Sequence, residues 1–242
     1  MKKIVTVALV SILYSCQSVT VKDNTYQISK ATVELGTLGE AKSLAGVQNN
    51  FETTAYPQLN EKIKVQVNIV PFTKRIHKIN TEKALYNQKQ MTVKYVDSLP
   101  VKPELLSIEI ADKNAFINEL NSESNQSVLT FIQNNERTSL VSGILTNATP
   151  SEIEKIRQAD TFYLVQTDKA KYQIALYKED KKTGLLYIDT NQILGYEIST
   201  FCWTETSNRK WQIGDLVSKG HSCSGLTTKK VKEAKEKSLY RM

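Results

Sequence analysis

Lys62-Ile63-Lys64-Val65-Gln66-Val67-Asn68-Ile69-Val70 is the stretch that decides the fold. Ile63, Val65, Val67 and Ile69 alternate with Lys64, Gln66 and Asn68, and a period of two sends the aliphatic side chains to one face of a strand and the polar ones to the other. A strand that is dry on one side and wet on the other belongs to an antiparallel sheet rather than to a parallel sheet covered on both faces. Pro71 ends or bends it, because a proline has no amide hydrogen to give to a ladder.

Working outward, the chain on either side of this strand reads as β-rich. Thr25 to Leu35 is β-prone, punctuated by Gly36 and Gly39. A short helix is expected near 40–50, and Tyr56-Pro57 marks a turn. A second β-prone piece is expected at 72–79, Met91, Val93 and Tyr95 alternate again, and Leu106, Ile108 and Ile110 do so after Pro100 and Pro103. The middle is helical. Asp112 can cap a helix over 113–122, with a continuation at 126–134, and Leu140–Leu145 reads as a strand. Thr149-Pro150-Ser151-Glu152 is a helix start with a cap, a proline at the first helical position and a capping-box glutamate.

From Thr161 the pattern is a meander: Phe162–Gln166, then Tyr172–Leu176, a turn at Lys181-Lys182-Thr183-Gly184, then Leu185–Asp189, Ile193–Thr204 and Trp211–Val217. Strands, then helices, then strands give the α+β class: mainly antiparallel sheet, two or three short helices in the middle and a charged C-terminal helix or tail. The tail, 227–242, carries opposite charges four residues apart, as in Lys229/Glu233 and Lys232/Glu236, and little apolar surface.

The first residues point elsewhere. Lys2 and Lys3 precede an apolar run from Ile4 to Tyr14, which ends at Ser15-Cys16-Gln17. At 11 residues the run is shorter than the roughly 20 a membrane-spanning helix needs, and a basic start with a short apolar core marks a secretory signal. The Cys after Leu13-Tyr14-Ser15 resembles the lipobox of bacterial lipoproteins, although Tyr14 is bulkier than the common residue there. The resemblance implies cleavage before Cys16, acylation of that cysteine (palmitate included) and an outer-membrane address. Gln17-Ser18 in place of an aspartate favours the outer membrane, and the lack of an acidic cluster favours its periplasmic face. The organisation expected is 1–15 signal peptide, 16–24 lipidated tether, 25–226 a single α+β domain and 227–242 charged tail. The membrane is then one partner, reached through the lipid, and an envelope protein is another.

With the leader removed, 227 of 242 residues remain, enough for a sizeable core. Hydrophobic content of 40% and charged content of 24% are those of an ordinary globular protein. The net charge of +7 falls to +5 without Lys2 and Lys3, and with no recognition motif present nucleic acid is not expected as a partner. Two cysteines are left once Cys16 is acylated. Cys202 and Cys223 read as a disulfide in an oxidising compartment. A metal site built on Cys202, His221 and Cys223 is poorly spaced and has no evident fourth ligand.

No nucleophile elbow, His-Glu-x-x-His pattern or glycine-rich phosphate loop occurs, so neither a catalytic residue nor a cofactor is assigned. The candidate binding surface is the stapled segment carrying Trp203, Trp211 and His221. Tryptophan offers a large contact area and one donor; the simpler reading is that the two rings pack on each other across a hairpin and fill the core. Carboxylate pairs meet in space rather than in sequence, and Glu197 and Glu205 lie on one β-prone stretch with even spacing. Two functions follow: a non-catalytic binding or assembly component of an envelope complex, or else an envelope hydrolase with a carboxylate site. A periplasmic inhibitor or immunity protein is a third.

Overall fold

The computed structural model describes residues 18–21, 24–28, 32–43, 49–85, 87–98, 100–167 and 171–231. The leader with Cys16, and the charged tail beyond residue 231, lie outside them. The described chain is α+β and mainly antiparallel, as its sequence pattern requires. Among the described residues twelve strands form one sheet. Its main path is β1 (Ser18–Val21), β2 (Asn24–Ile28), β11 (Ile193–Glu205), β7 (Thr138–Asn147), β6 (Glu104–Ile110), β5 (Ile63–Pro71), β8 (Thr161–Gln166), β9 (Tyr172–Lys178) and β10 (Lys181–Leu186). The sheet forks twice: β12 (Trp211–Ser218) pairs with the far half of β11, and the hairpin of β3 (Leu38–Ser43) and β4 (Asn49–Ala55) pairs with the start of β7.

The first half of strand β5 behaves as its alternation demands, whereas Val67, Asn68 and Ile69 are all half-buried and Val70 is buried on the opposite face. Ile63 and Val65 are buried while Lys64 and Gln66 are exposed. Across the ladder, Leu106, Ile108 and Ile110 of β6 turn to the same side as Ile63 and Val65. They join a large core with Phe116 and Leu120 of α2 (Lys113–Asn121), Leu129 and Ile132 of α3 (Gln126–Asn134), and Ile153 and Ile156 of α4 (Pro150–Gln158). The residues between them, Leu105, Ser107 and Glu109, turn to the opposite face. There a smaller core gathers Leu105, Leu145 and Leu194 under Ile76 and Ile79 of α1 (Lys74–Ala84), with Tyr26 and Val19 from the first hairpin.

The caps read from sequence are in place. Asp112 accepts from the Ala115 N–H at 2.9 Å. Thr149 and Glu152 complete their reciprocal capping box on α4.

Five expectations are corrected. No helix forms in the described part of 40–50; that segment supplies β3 and the start of β4. Residues 72–79 are not a strand but the start of α1. Thr73 caps it, accepting from the Ile76 N–H at 3.2 Å, and Ile76, Ile79, Asn80 and Lys83 bury one helical stripe. Met91, Val93 and Tyr95 form no ladder. Val93 and Tyr95 lie on the smaller core, and Tyr95 stacks on His77 of α1 with ring centroids 5.4 Å apart. Their alternation records packing against a helix, not pairing. The turn set at 181–184 lies two residues earlier. Glu179 and Asp180 take positive φ of 50° and 60°, so Lys181 is already paired with Lys178. Lastly, residues 18–21 of the expected tether are a strand, because Val19 is buried and pairs with Tyr26.

Candidate functional site

The sheet opens a notch along one edge of β11. There β2 pairs with Gly195 and Tyr196, and β12 begins at Ser199. Between those two neighbours, Glu197 and Ile198 face no strand on that side. The gap is a cleft of about 450 Å³, lined by Asn24, Gln27, Glu197, Ser218, Lys219 and His221 among others. It is built by strands that diverge, so its walls are the ends of two hairpins. The Lys219 N–H donates to the Ile198 carbonyl at 3.2 Å and the His221 N–H to the Ser218 carbonyl at 3.0 Å, which holds the loop after β12 against the notch. The Cys202–Cys223 disulfide, with Cα atoms 5.6 Å apart, ties the end of that loop to β11.

One carboxylate, Glu197, lines the notch, and a second, Glu109, stands beside it on the sheet. Glu109 of β6, Gly143 of β7 and Glu197 of β11 occupy one rung of the sheet. A Cβ on Gly143 would lie 3.1 Å from Glu109 Cγ and 3.3 Å from Glu197 Oε2, so the absence of a side chain lets the two glutamates lean over the same spot. Glu109 Oε1 accepts from the Tyr26 hydroxyl at 2.5 Å, from Asn24 Nδ2 at 2.6 Å and from Ser107 Oγ at 3.0 Å. Tyr26 reaches it from the far side of β11. Its ring is fully buried, and burial, reinforced by its bond to Glu109, pushes its phenol well above the ordinary range. Glu197 is half-buried beside Ser218. Burial first, and the Glu109 charge second, hold its carboxyl above the usual carboxylate range. Glu109 is thus held by three donors while Glu197 is short of solvation.

The residues singled out by sequence divide. His221 is exposed and lines the notch, and Glu197 lines it as well. Trp203 does not contribute a surface. It is 4% exposed, tilts against Phe201 and belongs to the large core. Trp211 is half-buried against the same core, so the expected exposed aromatic pair is corrected to core packing. Glu205, the supposed companion of Glu197, lies eight residues along the strand, about 26 Å away at strand rise, and is exposed at its end. The true companion is Glu109. Asn24, Tyr26 and Ser107 had no local mark. Gly143 had one: a glycine inside an otherwise aliphatic strand signals a close approach of other groups. Among the described residues no three His, Cys, Asp or Glu side chains group to hold a metal ion, and no helix is long and apolar enough to cross a membrane.

Compared with protein families, with curated proteins and with solved structures, the chain matches none. The reading of the site therefore rests on its own chemistry.

Proposed function

We propose that this chain is a lipid-tethered envelope protein, anchored through Cys16 in the outer membrane, and a non-catalytic binding or assembly component of a periplasmic complex. The observation that carries the binding role is the notch on β11: a cleft with polar walls and one carboxylate, Glu197, left open by two diverging strands. The lipobox-like start supports the anchor. Since β1 begins at Ser18, little chain separates Cys16 from the sheet, and Asn24 and Thr25 of that first hairpin line the notch. A lipid on Cys16 would keep the cleft near the membrane surface.

The test is recovery of partners from gently solubilised envelopes with three forms: native, Cys16→Ala and Glu197→Gln. A stoichiometric partner held by the native form, lost without the anchor and weakened by Glu197→Gln is the expected result. If all three forms come down alone, the binding role fails.

A second reading is favoured by one observation. Glu109 and Glu197 flank Gly143 on one rung of the sheet, which brings together two carboxylates of the kind glycoside hydrolysis uses. Turnover of a glycan substrate by the native protein, abolished in both Glu109→Gln and Glu197→Gln, would replace the binding role with this one. The inhibitor reading loses its support with the burial of Trp203.

A further inference from the structure

The start of the first strand is tied to the start of α1. Arg75 Nη2 donates to the Ser18 carbonyl at 2.6 Å, and Ser18 opens β1. Two residues of chain, at most about 7 Å, separate Ser18 from Cys16. Two further segments close on the same end of the helix. The Tyr95 hydroxyl accepts from the Lys74 N–H, and its ring stacks on His77. The Phe72 N–H donates to the Pro103 carbonyl at 2.8 Å, which brings the entry to β6 beside the helix cap. Strand, helix, loop and strand entry thus meet at one end of the molecule, and the chain leads from there to the cysteine that would carry the lipid.

That end is basic. Lys74, Arg75, Lys94 and Lys102 belong to the segments that meet there, and all four are exposed. Of the carboxylates nearby, Glu104 accepts from Arg157 Nη2 through both oxygens, at 2.8 and 2.7 Å, and Glu82 pairs with Lys78 at 3.9 Å. Asp97, which takes the Tyr95 hydroxyl at 2.5 Å, offsets one of the four cations and leaves the rest in excess. Val96 and Val101, 55% and 81% exposed, stand between Lys94 and Lys102 in the chain. A positive face held within a few ångströms of an acyl chain meets the head groups of the bilayer that holds the chain. Each lysine or arginine near an anionic leaflet strengthens such a contact by about fivefold.

We infer that this end of the molecule lies on an anionic phospholipid surface, with Lys74, Arg75, Lys94 and Lys102 among the head groups. The inference rests on the lipid-anchor reading above, and that reading is judged apart from it, by the intact mass of the native protein at Cys16. The test is flotation of the chain from residue 16 carrying Cys16→Ala, and so free of lipid, with vesicles of phosphatidylcholine alone or with about one-third phosphatidylglycerol. Binding to the anionic vesicles alone is expected, lost as salt rises from about 0.05 M to about 0.5 M. Lys74→Gln with Lys94→Gln and Lys102→Gln should weaken it at least tenfold, by roughly the fivefold per charge. Lys178→Gln with Lys181→Gln and Lys182→Gln removes as much charge from exposed positions at the opposite edge of the sheet. That form should bind within about twofold of the parent. Equal weakening by the two triple substitutions would reduce the contact to net charge. That result, binding to neither kind of vesicle, or unaltered binding by the first triple variant would each overturn the inference.

Discussion

At the scale of single residues, the cost of the carboxylate pair falls on Glu197. Its carboxyl is raised above its ordinary value of 4.5, mainly by burial. A carboxyl raised on folding binds its proton more tightly in the folded state, so stability is present at low pH and declines as pH rises from the unfolded value through the folded one. Replacing Glu197 with Gln removes that decline. The melting temperature of Glu197→Gln should match the native protein near pH 4 and exceed it by pH 7; a difference that does not change with pH would contradict the assignment. Lys83 behaves in the opposite sense. It is buried, donates to the Ile193 carbonyl, and burial lowers its ammonium to about 8. Folding therefore disfavours its proton, and stability from this group rises with pH between about 8 and the ordinary lysine value. The rise in urea midpoint from pH 7.5 to 9.5 should be smaller in Lys83→Met than in the native chain.

At the scale of elements, local chemistry decided what could be read in advance. β5, β6 and the helices begun by Asp112 and Thr149 carry their own signals, because alternation and caps are properties of a few neighbouring residues. α1 was hidden. Its stripe of Ile76, Ile79, Asn80 and Lys83 contains two polar residues, so it does not look apolar until the partners of Asn80 and Lys83 are known. The carboxylate pair was hidden for another reason: Glu109 and Glu197 are 88 residues apart, and only the register across β7 brings them together. The β9–β10 turn is the clearest miss with a remedy. Glu179 and Asp180 both sit in the left-handed region, where Asn-Gly is the favoured pair for a two-residue hairpin. Glu179→Asn with Asp180→Gly should therefore stabilise the domain, by roughly 1 kcal/mol, as read from chemical denaturation. Thr73→Ala, which removes the cap of α1, should cost about 1 kcal/mol.

At the scale of the whole molecule, the disulfide closes the loop that carries β12 and one wall of the notch. On the chain-entropy argument it contributes roughly 3 kcal/mol. The native protein should lose most of that in reductant, and a Cys202→Ala/Cys223→Ala form should show a midpoint that reductant does not move. The sheet also has a hub. β11 takes β7 on one side and both β2 and β12 on the other, and it is the only described partner joining the first hairpin to the main path of the sheet. That strand begins at Ile193, after four-fifths of the chain. A chain without its last fifth therefore carries β1 and β2 with no docking place among the described strands, and β7 with one bare edge. The sheet is completed only by its C-terminal strands, and a fragment stopped before Ile193 exposes the aliphatic edge of β7 to other copies of itself.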